Sequence, residues 1–172
     1  MVQLIRIFLA LGIALAFVSY SPEASAQSPA DAKRTLKLWK VLYAEPGFME
    51  VDARYMRGTV LLTGDVATEE LSQQASEMME KQRGVKDLRN RLRVREPDVA
   101  AAPCETILAK IEEEIAADEE LAQSRRKYEI VCEESNVTIT GKLGDYTLAS
   151  TLLNEMRKIE GVTTMNFDKL KY

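Results

Sequence analysis

A repeat constrains this chain more than any other feature. Val60, Thr63, Gly64, Leu71, Met79, Lys81, Gly84 and Val85 recur in the same order as Val137, Thr140, Gly141, Leu148, Met156, Lys158, Gly161 and Val162. The interval is identical for every pair, so no insertion interrupts the matched span. The period from Val60 to Val137 exceeds a solenoid unit and suits a small domain. The 172 residues therefore read as two copies of one module rather than one large core.

The segment ahead of the first copy reads as an export signal. Arg6 precedes an apolar run of twelve residues, Ile7–Val18, and Ala24-Ser25-Ala26 supplies the small side chains of a cleavage site. The run falls short of the ~20 residues that span a bilayer. Cleavage before Gln27 and a soluble periplasmic product are expected. No cysteine follows the apolar run at a lipidation position, so the product is not expected to be lipidated.

The chemistry available after that point is narrow. There is no histidine, and the only cysteines are Cys104 and Cys132. The commonest general base and the commonest transition-metal ligand are thus missing, and two thiols alone do not make a zinc site. The sequence predicts no enzyme, no cofactor and no metal centre.

Charge divides the copies. Gln27–Pro97 holds 13 basic and 11 acidic residues, a net of +2, whereas Cys104–Tyr172 holds 9 basic and 14 acidic residues, a net of −5. Two halves of opposite sign are expected to face different surroundings.

Hydrophobic periodicity gives the same element order in both copies. In the second, Ile107, Leu108, Ile111 and Ile115 recur at helical spacing over Thr106–Asp118. Tyr128, Ile130 and Cys132 alternate as one strand and Val137 and Ile139 as the next. A helix follows through Leu148, Leu152, Met156 and Ile159, ended by Gly161, and Val162, Met165 and Phe167 open a third strand. In the first copy Lys33–Ala44 is the helix, Val51, Ala53 and Tyr55 the first strand, and Val60 and Leu62 the second. Leu71, Ala75 and Met79 mark the second helix, and Leu88, Leu92 and Val94 the last strand. The predicted fold is α+β: two tandem α-β-β-α-β units, each a small three-stranded sheet covered on one face by two helices. The predicted division is a signal peptide over 1–26, a first unit over 27–96, a linker over 97–103 and a second unit over 104–172.

A strand-turn-strand ending in Thr-Gly, then a helix, then Gly-Val and an alternating strand resembles the BON domain. The residues that carry the resemblance are Thr59–Gly64 with Gly84–Val94, and Val137–Gly141 with Gly161-Val162. The second copy departs late, with Lys169 and Lys171 where the first has Leu92 and Val94. The resemblance implies periplasmic, non-enzymatic modules of the cell envelope, some of them phospholipid binders and others parts of secretion or channel assemblies.

Two basic features are candidate binding sites for an anionic phospholipid or another envelope component. Arg89, Arg91, Arg93 and Arg95 stand at period two and project from one face of the last strand of the first copy, with Arg54 on the outward face of its first strand. Guanidinium forks bind phosphate or carboxylate bidentately. The alternative is a solvated face that protects the sheet from aggregation. Lys33, Lys37 and Lys40 accompany Trp39 on the first helix, whose apolar residues exceed one core-facing stripe. That excess either lies on a membrane surface or packs against the second copy. The arginines on the sheet would otherwise suggest nucleic acid, but export and the acidic chain exclude it as a partner. A protein-protein adaptor role for an envelope or secretion complex is the alternative function.

Cys104 and Cys132 are expected to form a disulfide. Cys104 begins a helix about 21 Å long at ~1.5 Å per residue, and the strand ending at Cys132 returns most of that length at ~3.3 Å per residue. A helix packed antiparallel to the strand brings both sulfurs to one end of the unit.

Overall fold

The computed structural model describes residues 27–95 and 100–172. The signal-peptide reading over 1–26 and linker residues 97–99 lie outside the described residues.

The first unit runs α1 (Pro29–Tyr43), β1 (Val51–Met56), β2 (Thr59–Val66), α2 (Glu69–Glu80) and β3 (Asp87–Val94). The second runs α3 (Cys104–Ala117), α4 (Glu119–Ser124), β4 (Tyr128–Glu133), β5 (Asn136–Lys142), α5 (Tyr146–Met156), β6 (Thr164–Asn166) and β7 (Leu170–Lys171). Strand order is β1-β2-β3 in one sheet and β4-β5-β6 in the other, with β7 also paired to β5. In both sheets the hairpin is antiparallel, and the strand after the helix pairs parallel to the hairpin's second strand.

The sequence repeat is reproduced in backbone detail. Thr68 caps α2 by accepting from the Leu71 amide, and Asp145, its counterpart one repeat later, caps α5 by accepting from the Leu148 amide. The hairpin turns hold both central residues at positive φ, Arg57-Gly58 in one unit and Glu134-Ser135 in the other, as a two-residue turn requires. Gly64 and Gly141 sit at φ 114° and 131°. A Cβ at Gly64 would collide with the Glu50 carbonyl oxygen, and one at Gly141 with that of Lys127, the residue equivalent to Glu50. No other side chain fits either position.

Two elements differ from the sequence expectation. α4 has no counterpart in it: six residues with only Leu121 as an apolar anchor are too short to show periodicity. The last strand of the second unit is broken where Lys169 and Lys171 depart from the pattern. Leu88 and Met165 occupy equivalent places opposite Val60 and Val137. Further on, Leu92 faces Gly64 but Leu170, not Lys169, faces Gly141. A turn in which the Leu170 amide donates to the Phe167 carbonyl, 3.0 Å away, absorbs the extra residue. Leu170 is thereby buried and both lysines stay in water.

The buried side chains form one cluster that spans both units. α1 makes this possible. It packs on β1 and α2 of its own unit and on α5 and β6 of the other. Leu36, Leu38, Trp39, Leu42 and Tyr43 are all buried, more than one stripe can place against a single sheet.

Candidate functional site: the outward face of the first sheet

β3 is held in register by its polar residue. The Asn90 amide donates to the Ser72 carbonyl and hydroxyl and to the Ser76 hydroxyl on α2, at 2.8–3.2 Å. This anchors the even-numbered side chains of β3 toward the helices and turns Arg89, Arg91 and Arg93 to the opposite face. Arg95 extends the register, its amide donating to the Val66 carbonyl at 2.8 Å.

Pairing then sets these arginines among the outward residues of β1 and β2. Arg54, Leu61 and Arg89 form one row across the sheet; Asp52, Thr63 and Arg91 form the next. The cations differ in how far they are satisfied. Arg93 grips Asp65 with two bonds of 2.8 and 3.0 Å, and Arg95 approaches the same carboxylate at 3.9 Å. Arg54 and Arg89 lie 3.7 and 3.8 Å from Asp52 and Asp87, with 59% and 65% of their side chains exposed. Arg57 and Arg91 form no ion pair among the described residues. Arg54, Arg57, Arg89 and Arg91 line an open cleft of about 500 Å³ together with Met56, Leu61 and one carboxylate, Asp31. Arg93 and Arg95 belong to the face but not to the cleft. Four guanidinium groups beside two apolar side chains suit an anionic oxygen group attached to an apolar body.

The α1 residues do not join this site. Trp39 is 4% exposed, and its indole N–H donates to the Ala53 carbonyl at 3.0 Å and to Asp52 at 3.2 Å. An interfacial membrane role for Trp39 is therefore corrected: the apolar excess of the helix packs against the second unit. Lys40 donates to the Asp168 carbonyl at 3.4 Å and lies over the Phe167 and Tyr172 rings. Lys33 lies over the Tyr146 ring. Lys37 lines a separate cleft of about 360 Å³ with Arg34 and Arg83.

Sequence reasoning missed Arg157. It reaches across from the end of α5, its guanidinium 3.1 Å from the Tyr43 hydroxyl and 3.3 Å from Asp52. Burial pushes the Tyr43 phenol up to about 12, with Arg157 pulling in the opposite direction. A single arginine after a helix carries no signal of such a cross-unit contact. Cys104 and Cys132 form the expected disulfide, with Cα atoms 5.5 Å apart. Such a bond fits an oxidising compartment. Among the described residues no helix is long and apolar enough to cross a membrane.

The family model of the BON domain matches residues 30–96, the span of the first unit. The match does not extend into the second unit. No curated protein matches the chain. Several solved chains are weakly similar, two of which illustrate the match. One is the C-terminal domain of CdsD, the structural protein of the type III secretion system of Chlamydia trachomatis. It is 14% identical, with 84% of this chain and 67% of that one covered and a TM-score of 0.32. The other, from structural studies of the same protein, is 12% identical, covers 83% and 91%, and has a TM-score of 0.28.

Proposed function

We propose that this chain is a non-catalytic, periplasmic binding module of the cell envelope that docks on anionic phospholipid through the outward face of its first sheet. The carrying observation is the cleft in which four arginines outnumber its one lining carboxylate, Asp31: Arg57 and Arg91 form no ion pair among the described residues, and Arg54 and Arg89 form only long ones, at 3.7 and 3.8 Å. Arginines in that state keep donors free for phosphate oxygens, and Met56 and Leu61 offer apolar contact beside them. The BON match at residues 30–96 supports an envelope role, and the disulfide and the signal-like N-terminus support export. The second unit is read as a diverged BON module, on the strength of its repeated turn, caps and strand order.

Co-sedimentation of Gln27–Tyr172 with vesicles tests this reading. Binding is expected to anionic but not to zwitterionic vesicles, to weaken as salt screens the arginines, and to be lost in Arg89→Glu/Arg91→Glu. Equal binding to both vesicle types, or binding unaffected by that variant, would overturn it.

A further inference from the structure

The four edge strands of the two sheets are not equally open. A two-residue turn makes Met56 and Thr59 a hydrogen-bonded pair, so the odd-numbered residues of β1 direct their backbone groups away from β2. α1 and the chain before it occupy those groups. Tyr43 donates to the Val51 carbonyl, Trp39 to that of Ala53 and Gln27 to that of Tyr55, while the Tyr55 amide donates to the Thr35 hydroxyl. The β1 edge is closed. β6 is only three residues long and the turn after it blunts its edge.

β3 and β4 remain. Arg95 donates to Val66, so the odd residues of β3 bond to β2 and Leu88, Asn90, Leu92 and Val94 face the open side. Among the described residues only the Leu92 amide is occupied there, by the Asn90 side chain. By the same turn logic Tyr128, Ile130 and Cys132 face the open side of β4, where, among the described residues, only the Tyr128 carbonyl is taken, by Arg125. Val94 and Val131, on these two strands, are 53% and 42% exposed, the largest exposures of large apolar side chains among the described residues.

The open edges carry opposite charge. β3 presents Arg89, Arg91 and Arg93 on its outward face; β4 presents Glu129 and Glu133, neither in an ion pair among the described residues. Pairing β3 with β3 would set arginine against arginine, and β4 with β4 glutamate against glutamate, both unfavourable directly across strands. We propose that the chain associates head to tail with a second copy of itself, β3 of one molecule adding to β4 of the next and joining the two sheets. Arginine and glutamate then alternate on one face, while Leu88, Leu92 and Val94 meet Ile130 and Cys132 on the other. The contact is heterologous, so each dimer keeps one free edge of each sign and growth continues.

Sedimentation velocity of Gln27–Tyr172, disulfide intact and lipid absent, is the test. The wild type is expected to form dimers and longer species as concentration rises, and fewer as salt rises. Arg89→Glu/Arg91→Glu and Glu129→Lys/Glu133→Lys are each expected to weaken association at least ~tenfold while melting like the wild type. A mixture of the two variants restores complementary edges and is expected to associate again. A wild type that stays monomeric at every concentration, variants that associate as it does, or a mixture that stays monomeric would each overturn the proposal.

Discussion

The central row of the first sheet is Arg54, Leu61 and Arg89; the equivalent row of the second sheet is Val131, Thr138 and Asn166. The backbone beneath is the same, with the same strand order, turn and cap positions. The inward side chains must fill one core and tolerate little change, whereas the outward ones answer only to what they meet. One face became a cationic surface; the other carries uncharged side chains along its central row and the glutamates Glu129 and Glu133 along its β4 edge. The joint near the chain start differs as well. Gln27 ties the start of the first unit to its strand through a 2.8 Å bond to the Tyr55 carbonyl. The same two positions in the second unit are Cys104 and Cys132, tied covalently. A short core is reinforced in one unit by hydrogen bonds and the neighbouring helix, and in the other by a crosslink.

The largest effect is expected where the units share a helix. Trp39→Ala removes a buried indole and its two hydrogen bonds, and should cost ~3–5 kcal/mol of unfolding free energy in urea titrations. A loss below ~1 kcal/mol would mean that α1 is not the shared core element. The tryptophan emission of the native protein should also stay unchanged when vesicles are added, since the ring is already dry.

Removing the crosslink comes next. Cys104→Ser/Cys132→Ser opens a loop of 28 residues and should lower stability by ~3 kcal/mol. Gln27→Ala, at the equivalent joint, should cost ~1 kcal/mol. Equal losses would erase the distinction between the two joints. Gly64→Ala and Gly141→Ala test the shared plan instead. Each should destabilise by ~1–3 kcal/mol through strain and collision with a carbonyl, and a cost at only one site would break the equivalence.

The smallest effect is alkaline. The Tyr43 and Tyr128 phenols are both raised to about 12 by burial, so the folded state holds protons that the unfolded chain releases near pH 10. The stability they contribute is complete below pH 10 and is lost as pH rises toward 12. Tyr43→Phe should flatten part of that decline in melting temperature between pH 10 and pH 12, the window between the free and the raised phenol values.

Much of this is readable from residues. Alternation at Arg89, Arg91, Arg93 and Arg95 places them on one face because strand periodicity is local. The cysteine pair is legible because helix and strand lengths nearly cancel. The position of Trp39 is not, since a helix with two apolar stripes looks alike whether the second meets lipid or protein. Arg157 is invisible for the same reason: its partners lie in the other unit, far away in sequence. The break after Phe167 shows only as a lapse of pattern, because a turn that absorbs one extra residue shifts register without any composition cue.

Vesicle affinity, measured after the first sheet is given residues of the second, separates the sheet from the helix as the docking surface. Arg54→Val/Arg89→Asn gives the first sheet the residues of the second, and Lys33→Gln/Lys37→Gln removes the same charge from α1. With anionic vesicles, the sheet variant of Gln27–Tyr172 is predicted to lose more than ~tenfold in affinity, and the helix variant to stay within about twofold of the wild type. A helix variant that loses as much as the sheet variant, or a sheet variant that binds like the wild type, would contradict the account.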